Sequence, residues 1–539
     1  MKSIFDFWPI PEFTPRPNQV RALEWLEENH SQYKYLFLQA PVGSGKSLIG
    51  ATFANYKLSH GGMDSEGNTL RGGFYLTPQI ILQKQYETSF PEGMMASLYG
   101  KGNYHCSRVK SSCDVGSALK KKCRGCPYAI AKAQAVSSDH VILNYKLALL
   151  QFHYTQTWND RHVIVHDECH GLEEYLTELS APQITKNKCE KYSVKWKVPQ
   201  SLDVALDWVS ETYIPAASKY MSTLYAEVKE IIDNIDKEPT PREAKLVKEL
   251  NALEEHLDEL QLLLLSDRNT LRSSVVLVTD EQLFKFKPLS GAGIFHDVLN
   301  YVADNHLFMS STILNHEGFC KDLGIDPAES SYLELDSDFP VEQRPIFYMP
   351  QCKMNASWSS PENENGRRKM HDKIREICQM HAEDSGIIHV GNFKIADWVV
   401  RTLQNLGTHN VWHHLPGSGD NRNDIIDAFQ KDPKPAILVS PSITEGLDLK
   451  DDLARFAIFV KIPFGFLGDQ WIKQRMNMSQ EWYQRRTLID VVQGSGRVVR
   501  GAEDWGNTYI LDESWGFLFK KAGKFIPQWW KDGYRVMSS

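Results

Sequence analysis

Eight residues constrain this chain more than any others: Ala40-Pro41-Val42-Gly43-Ser44-Gly45-Lys46-Ser47, entered from the apolar run Tyr35-Leu36-Phe37-Leu38 and left through a helix-like Leu48-Ile49-Gly50-Ala51. A strand, a glycine-bearing loop and a helix in that order form a phosphate cradle. Gly43 and Gly45, with Ser44 between them, let successive backbone N–H groups converge on phosphate oxygens, Lys46 neutralises the β/γ charge, and the Ser47 hydroxyl ligates Mg²⁺. A plain Gly/Ser turn would leave the Lys-Ser pair unexplained. ATP and Mg²⁺ are therefore the expected ligands, with Lys46 also acting in hydrolysis.

A second motif points to the reaction. The run His162-Val163-Ile164-Val165-His166 reads as a buried strand that delivers Asp167-Glu168-Cys169-His170 at its C-terminal end, where α/β sheets carry their chemistry. An Asp-Glu pair after a strand is, taken alone, most often a helix N-cap. With a phosphate loop upstream it reads instead as Asp167 holding Mg²⁺ through water and Glu168 orienting and deprotonating the attacking water, with His170 linking nucleotide state to a partner domain. Near the other end, Val491-Val492-Gln493-Gly494-Ser495-Gly496-Arg497-Val498-Val499-Arg500 carries two arginines three apart, on one face if the segment is helical. Arg497 and Arg500 suit an arginine finger, and Gln493 is assigned to the catalytic set with them. A solvated basic helix is the bland alternative, but it does not account for the Gln-x-x-Gly lead-in.

These three motifs in this order resemble superfamily 2 helicases, and intervening segments extend the likeness over nearly the whole chain. Arg16 and Gln19 look like the adenine-reading Q motif, Tyr75-Leu76-Thr77-Pro78 like motif Ia, and Met309-Ser310-Ser311-Thr312-Ile313 like motif III with Ser-Ser-Thr for the usual Ser-Ala-Thr. Gly386-Ile387-Ile388-His389-Val390-Gly391 stands where motif IV belongs. Ser442-Ile443-Thr444-Glu445-Gly446-Leu447-Asp448 looks like motif V, which puts Glu445, Gly446 and Asp448 at the nucleotide.

Nine cysteines are present, and four of them crowd together: Cys106, Cys113, Cys123 and Cys126, spaced C-x6-C-x9-C-x2-C. Cys169, Cys189, Cys320, Cys352 and Cys378 are scattered and read as buried thiols. Four clustered thiolates between the phosphate loop and the acidic motif make a metal site, and spacing alone fits zinc as readily as iron and sulfur. The flanks Gly102-Asn103-Tyr104-His105 and Arg124-Gly125 with Pro127-Tyr128, followed by Val141-Ile142-Leu143-Asn144-Tyr145, look like the iron–sulfur insertion of the XPD/DinG helicases, and that resemblance implies a [4Fe–4S] cluster.

Composition excludes little but supports a multidomain enzyme: 539 residues, 42% of them hydrophobic, are enough for several cores. The first residues, Met1 to Pro11, include Asp6 and two prolines and do not read as a signal peptide; with no transmembrane run, the expected location is cytoplasmic, nucleoid-associated or in host cytoplasm if the chain is viral. A net charge of −8 is the wrong sign for coating nucleic acid by bulk electrostatics, so a local basic path is needed, with Lys120-Lys121-Lys122-Cys123-Arg124 one candidate.

The expected fold is α/β: two RecA-like motor domains, the first carrying an iron–sulfur insertion and a helical arch insertion. The first motor takes residues 1–100, 131–182 and 273–340, interrupted by the cluster segment at 101–130 and the arch at 183–272. The second takes 341–539, its elements resuming after the polar stretch 361–366. Leu250, Leu253, Leu257, Leu260 and Leu264 hold one heptad seam of the arch, and Leu224, Val228, Ile231 and Ile235 another across Glu238-Pro239-Thr240-Pro241, which suggests an antiparallel hairpin. The late aromatics Trp515, Phe517, Phe519, Phe525, Trp529 and Trp530 suit base stacking, though packing of the last helix on the sheet is favoured.

The resemblance implies an ATP-dependent DNA helicase moving 5′ to 3′ on single-stranded DNA and opening ss/ds junctions as a monomeric motor, in a compact form of the kind a small bacterial or viral genome encodes. RNA–DNA hybrid or RNA unwinding is one alternative. An accessory DNA-dependent ATPase that remodels or recruits proteins is the other.

Overall fold

The computed structural model describes residues 2–63, 67–106, 111–117, 125–154, 158, 160–233, 240–404, 406–413, 422–433, 435–441, 451–496, 498–499, 501 and 504–537. Short apolar runs without alternation are what a sheet covered on both faces requires, and two such sheets form. The first has seven parallel strands in the order Ser330–Glu334, Tyr35–Gln39, Ala303–Ser310, Arg161–Asp167, Arg71–Thr77, His140–Asn144 and Ala96–Ser97. The second, also of seven parallel strands, runs Asn410–His413, Ala436–Ser440, Gly386–His389, Phe456–Phe459, Asn507–Asp512, Ile346–Cys352 and Tyr534–Val536. Two RecA-like α/β units in series result.

Register places the chemistry. Gln39 pairs with Ser310 and Met309 with Asp167, so the phosphate loop, motif III and the acidic pair leave the first sheet together at the C-terminal ends of three neighbouring strands. Rings lock that alignment: Phe37 stacks on Phe308 at 4.5 Å and Phe308 on His166 at 4.4 Å, across three neighbouring strands.

The insertion after the acidic motif is not purely helical. Gln183–Thr185, Leu283–Pro288 and Val275–Thr279 form a separate antiparallel sheet, so the stretch after residue 275, expected to rejoin the motor directly, first closes the insertion. Val276, Phe284 and Phe286 are buried and demand a cover that the main sheet does not provide. The helices Ile214–Asp233 and Pro241–Leu265 pack through Leu224 and Val228 against Ala244, Val247 and Leu250. Leu253, Leu257 and Leu260 turn to the small sheet instead, while Ile235, Glu238 and Pro239 lie outside the described residues. Thr240 starts the second helix with a capping box: Glu243 N–H donates to its hydroxyl and its own N–H to the Glu243 carboxylate.

The second sheet already includes Ile346–Cys352, ahead of the polar stretch, and Glu364–Met380 is a helix within that unit. Of the late aromatics, Trp515, Trp529 and Trp530 are core and Phe517 is exposed.

Candidate nucleotide and cluster sites

Gly43 and Gly45 both adopt positive φ, near +78° and +77°, which lets the loop turn back on itself. A Cβ at Gly45 would also lie 2.2 Å from Gln19 Nε2. The Q-motif pair braces this loop: Arg16 donates to Gly43 O at 2.7 Å, Gln19 donates to Ser44 O at 3.0 Å, and Gln19 Oε1 accepts the Arg16 N–H at 2.8 Å. Gln19 is buried, and its amide braces the phosphate loop from the position that the resemblance assigns to the adenine reader. Lys46 Nζ donates to Ala40 O at 3.3 Å and lies 3.9 Å from Glu168 Oε1. The buried Ser44 hydroxyl has no hydrogen-bond partner among the described residues, an orphan that a phosphate oxygen would satisfy.

The acidic pair closes the other side. Asp167 is buried, and its Oδ2 accepts from the Tyr86 hydroxyl at 3.1 Å. Burial, then the Glu168 charge, pushes the Asp167 carboxyl up to about 6, against the pull of Lys46. Glu168 holds a left-handed backbone, φ 47°, a strained conformation that its neighbours maintain. Its Oε2 lies 3.3 Å from His170 Nδ1 and 3.4 Å from Ser310 Oγ.

The second domain supplies the opposing wall. Gln493 Nε2 reaches across to Thr312 Oγ1 at 2.8 Å, Ser311 Oγ at 3.1 Å and Glu168 Oε2 at 3.4 Å. His170, whose Nδ1 is also 3.4 Å from Gln493 Nε2, stands at the seam between the units. The helix carrying Gln493, Gln480–Ser495, stops at Gly496, and glycines at 494 and 496 weaken its last turn. Arg497, Arg500, Glu445, Gly446 and Asp448 themselves lie outside the described residues.

Away from the nucleotide, a buried charge network ties the units together. Arg475 bonds Glu173 and, at 3.0 Å, Asp322; Arg485 bonds the other Asp322 oxygen; Trp482 donates to Glu173 at 2.8 Å. Burial pulls Arg485 down to about 10 despite Glu173.

Of the four clustered cysteines, Cys106, Cys113 and Cys126 are described, without disulfides, and Cys123 lies outside the described residues with the basic run 120–124. Cys113 and Cys126 bring their sulfurs to 3.7 Å. Cys106 stands on the short strand His105–Cys106, and its side chain packs with Leu224, Val228 and Val247 of the arch. The soft donor chemistry fits a thiolate-held centre, but among the described residues no group of three or more ligands is gathered on one point.

Comparison with known proteins agrees with this two-domain geometry. A helicase C-terminal domain family matches residues 374–533, and the type III restriction enzyme res subunit family matches residues 12–194. The ATP-dependent DNA helicase DinG of Photobacterium profundum is 23% identical over 36% of this chain and 29% of its own length; YoaA of Escherichia coli K12 is 24% identical over 42% and 35%. An XPD helicase structure superposes over 97% of this chain and 100% of its own with TM-score 0.62 at 15% identity, a likeness of fold. Together these matches make the chain similar to the XPD/DinG-like superfamily 2 helicases. Its alignments span about a fifth to a third of the length of the curated relatives it matches.

Within this XPD/DinG-like chain the structure assembles Lys46, Glu168, His170, Ser311, Thr312 and Gln493 around one cleft. Sequence reasoning missed Tyr86 and Gln39. Tyr86 stands on the helix Ile80–Ser89 with no motif around it, and Gln39, whose Oε1 accepts from Leu314 N–H at 2.6 Å, reads as an ordinary end of strand.

Proposed function

We propose that this chain is an ATP-driven DNA helicase that translocates 5′ to 3′ on single-stranded DNA. The observation that carries the reading is Gln493, which meets Glu168 and the Ser311-Thr312 pair of the other domain: hydrolysis at Glu168 then alters the contact that holds the two domains together. Lys46 and the loop amides would bind the β/γ-phosphates, Ser47 and Asp167 would hold Mg²⁺, and Glu168 would take the proton of the attacking water. Arg497 and Arg500, four and seven residues after Gln493, would supply positive charge to the γ-phosphate, offsetting the charge of the transition state. Glu445, Gly446 and Asp448 would complete that wall.

Cys106, Cys113, Cys123 and Cys126 would hold a [4Fe–4S] cluster, which supplies rigidity to a segment too short to fold on its own core. That segment leans on the arch through Asp114, paired with Lys248. Between the arch and the motors opens a cleft of about 820 Å³, whose lining mixes Lys146, Lys188 and Arg486 with Glu174, Glu178, Glu255 and Glu259. No described helix is long and apolar enough to cross a membrane; we place the enzyme in the cytoplasm with the DNA.

Strand displacement on duplex DNA with 5′ or 3′ tails, and on RNA–DNA hybrids, tests the proposal alongside DNA-stimulated ATPase. The expected result is ATP-dependent opening of 5′-tailed DNA, abolished in Lys46→Ala. Stimulated ATPase in Lys46→Ala refutes the motor. Faster opening of hybrids moves the substrate to R-loops, and hydrolysis without displacement makes the chain an accessory ATPase.

A further inference from the structure

The turn that carries Gln493 has little stiffness of its own. It is the last of its helix, flanked by Gly494 and Gly496, and its shape depends on Ser495, whose hydroxyl donates to Val492 O at 2.9 Å. The same hydroxyl accepts a 2.7 Å hydrogen bond from Trp530 Nε1. Trp530 is fully buried and rigid, its ring against Trp515 at 5.4 Å and Tyr534 at 5.6 Å. It stands on the short helix Gln528–Asp532, 35 residues beyond Ser495.

That helix also touches the other domain. The backbone N–H of Gln528 donates to Glu334 Oε1 at 3.2 Å, and Glu334 Oε2 accepts from Gln39 Nε2 at 3.0 Å. Gln39 is the last residue of the strand that feeds the phosphate loop. Between the two attachments, Pro41, Val42, Ser495, Gly496, Trp529 and Trp530 line a gap of about 30 Å³, room for one water. A Cβ at Gly496 would come to 3.4 Å from Val42 Cγ2, so the two catalytic walls meet here.

We propose that Trp530, with Glu334 opposite, makes the helix Gln528–Asp532 a positioning element of the nucleotide cleft, holding the Gln493 turn of one domain in register with the phosphate loop of the other. The inference rests on the motor reading above. Trp530 touches no reacting atom; it acts through Ser495 on Gln493, and a displacement of about 1 Å at such a group is enough to slow chemistry severely.

The test is steady-state ATPase with melting temperatures on the full chain. Trp530→Phe keeps the buried ring and removes the N–H donor, and Ser495→Ala removes the acceptor. Both should lower kcat about five- to tenfold, the worth of one buried hydrogen bond expressed in the transition state, while KM for ATP stays within about twofold. The double variant should be no slower than Ser495→Ala alone, because that substitution already removes the contact that Trp530→Phe deletes, along with the bond to Val492 O. Glu334→Ala should show the same kcat loss from the other side. Trp398→Phe is the control: a half-buried tryptophan of the same domain that packs on Trp358 in a separate cluster, it should lower the melting temperature but keep kcat. Wild-type kcat in Trp530→Phe, or an equal kcat loss in Trp398→Phe, overturns the inference. A wild-type chain that hydrolyses no ATP, or a Lys46→Ala chain that still does, overturns the motor reading instead.

Discussion

Asp167→Asn should make the ligand-free protein more stable at neutral pH, although Asp167 is assigned to Mg²⁺. The carboxyl is buried beside Glu168 and rises from its ordinary 3.8 to about 6. A folded-state value above the unfolded one means the folded chain holds the proton more tightly. The relative stability is therefore fully present below about pH 4 and lost as pH rises through about 6. By pH 7.5 the ionised folded state carries a cost of about 3 kcal/mol. Asparagine carries no such cost at any pH. It loses the charge-assisted hydrogen bond from the Tyr86 hydroxyl, which gives back about 1 kcal/mol, so the net gain is about 2 kcal/mol. For a unit of 150–250 residues that is a rise of roughly 4–8 °C. The assay is thermal melting of both proteins, without nucleotide or Mg²⁺, from pH 7.5 down to pH 4.5. The gap should shrink as pH falls through about 6, and saturating Mg²⁺-ATP should reverse its sign by stabilising only the wild type. A variant that melts at or below the wild type at pH 7.5, or a gap independent of pH, refutes the reasoning.

Glu168→Gln should bind ATP with near wild-type affinity and turn it over on the order of 10²-fold more slowly, checked by nucleotide binding and single-turnover rates; weak binding would remove Glu168 from the water-activating role. Gln493→Ala should lower kcat with little change in KM, because its contacts form across the closed cleft; an unchanged kcat would show that the seam is not coupled to hydrolysis. Arg485→Met leaves part of the buried Asp322 charge unpaired and should loosen the cleft, measured as a fall in energy transfer between labels on the two domains; unchanged transfer would show that the network does not hold the closed form. Cys113→Ser should release iron and suppress strand displacement more than ATPase, measured on one preparation; iron loss with full displacement would put the cluster off the strand path.

The sequence by itself determined the kinds of element and the chemistry. Gly43, Gly45, Lys46 and Ser47 have few other uses in that order, and buried runs such as Val163-Ile164-Val165 announce parallel strands, because local spacing and side-chain type suffice for both. Gln493 was legible as part of a motif. Its partners Ser311 and Thr312, some 180 residues earlier, were legible only as another motif, and the contact between them was not. The small sheet that closes the arch escaped notice because Val275–Thr279 and Leu283–Pro288 look like any strands until pairing chooses their neighbours. Tyr86, Gln39 and Glu334 carry no local signal at all, and Trp530 reads only as one of a late aromatic group that packs the last helix. Their roles come from hydrogen bonds between residues far apart in sequence, Glu334 to Gln39 across 295 positions among them. Only tertiary structure could decide these, because side-chain spacing records what one segment can do and holds no record of which distant segment will stand opposite it.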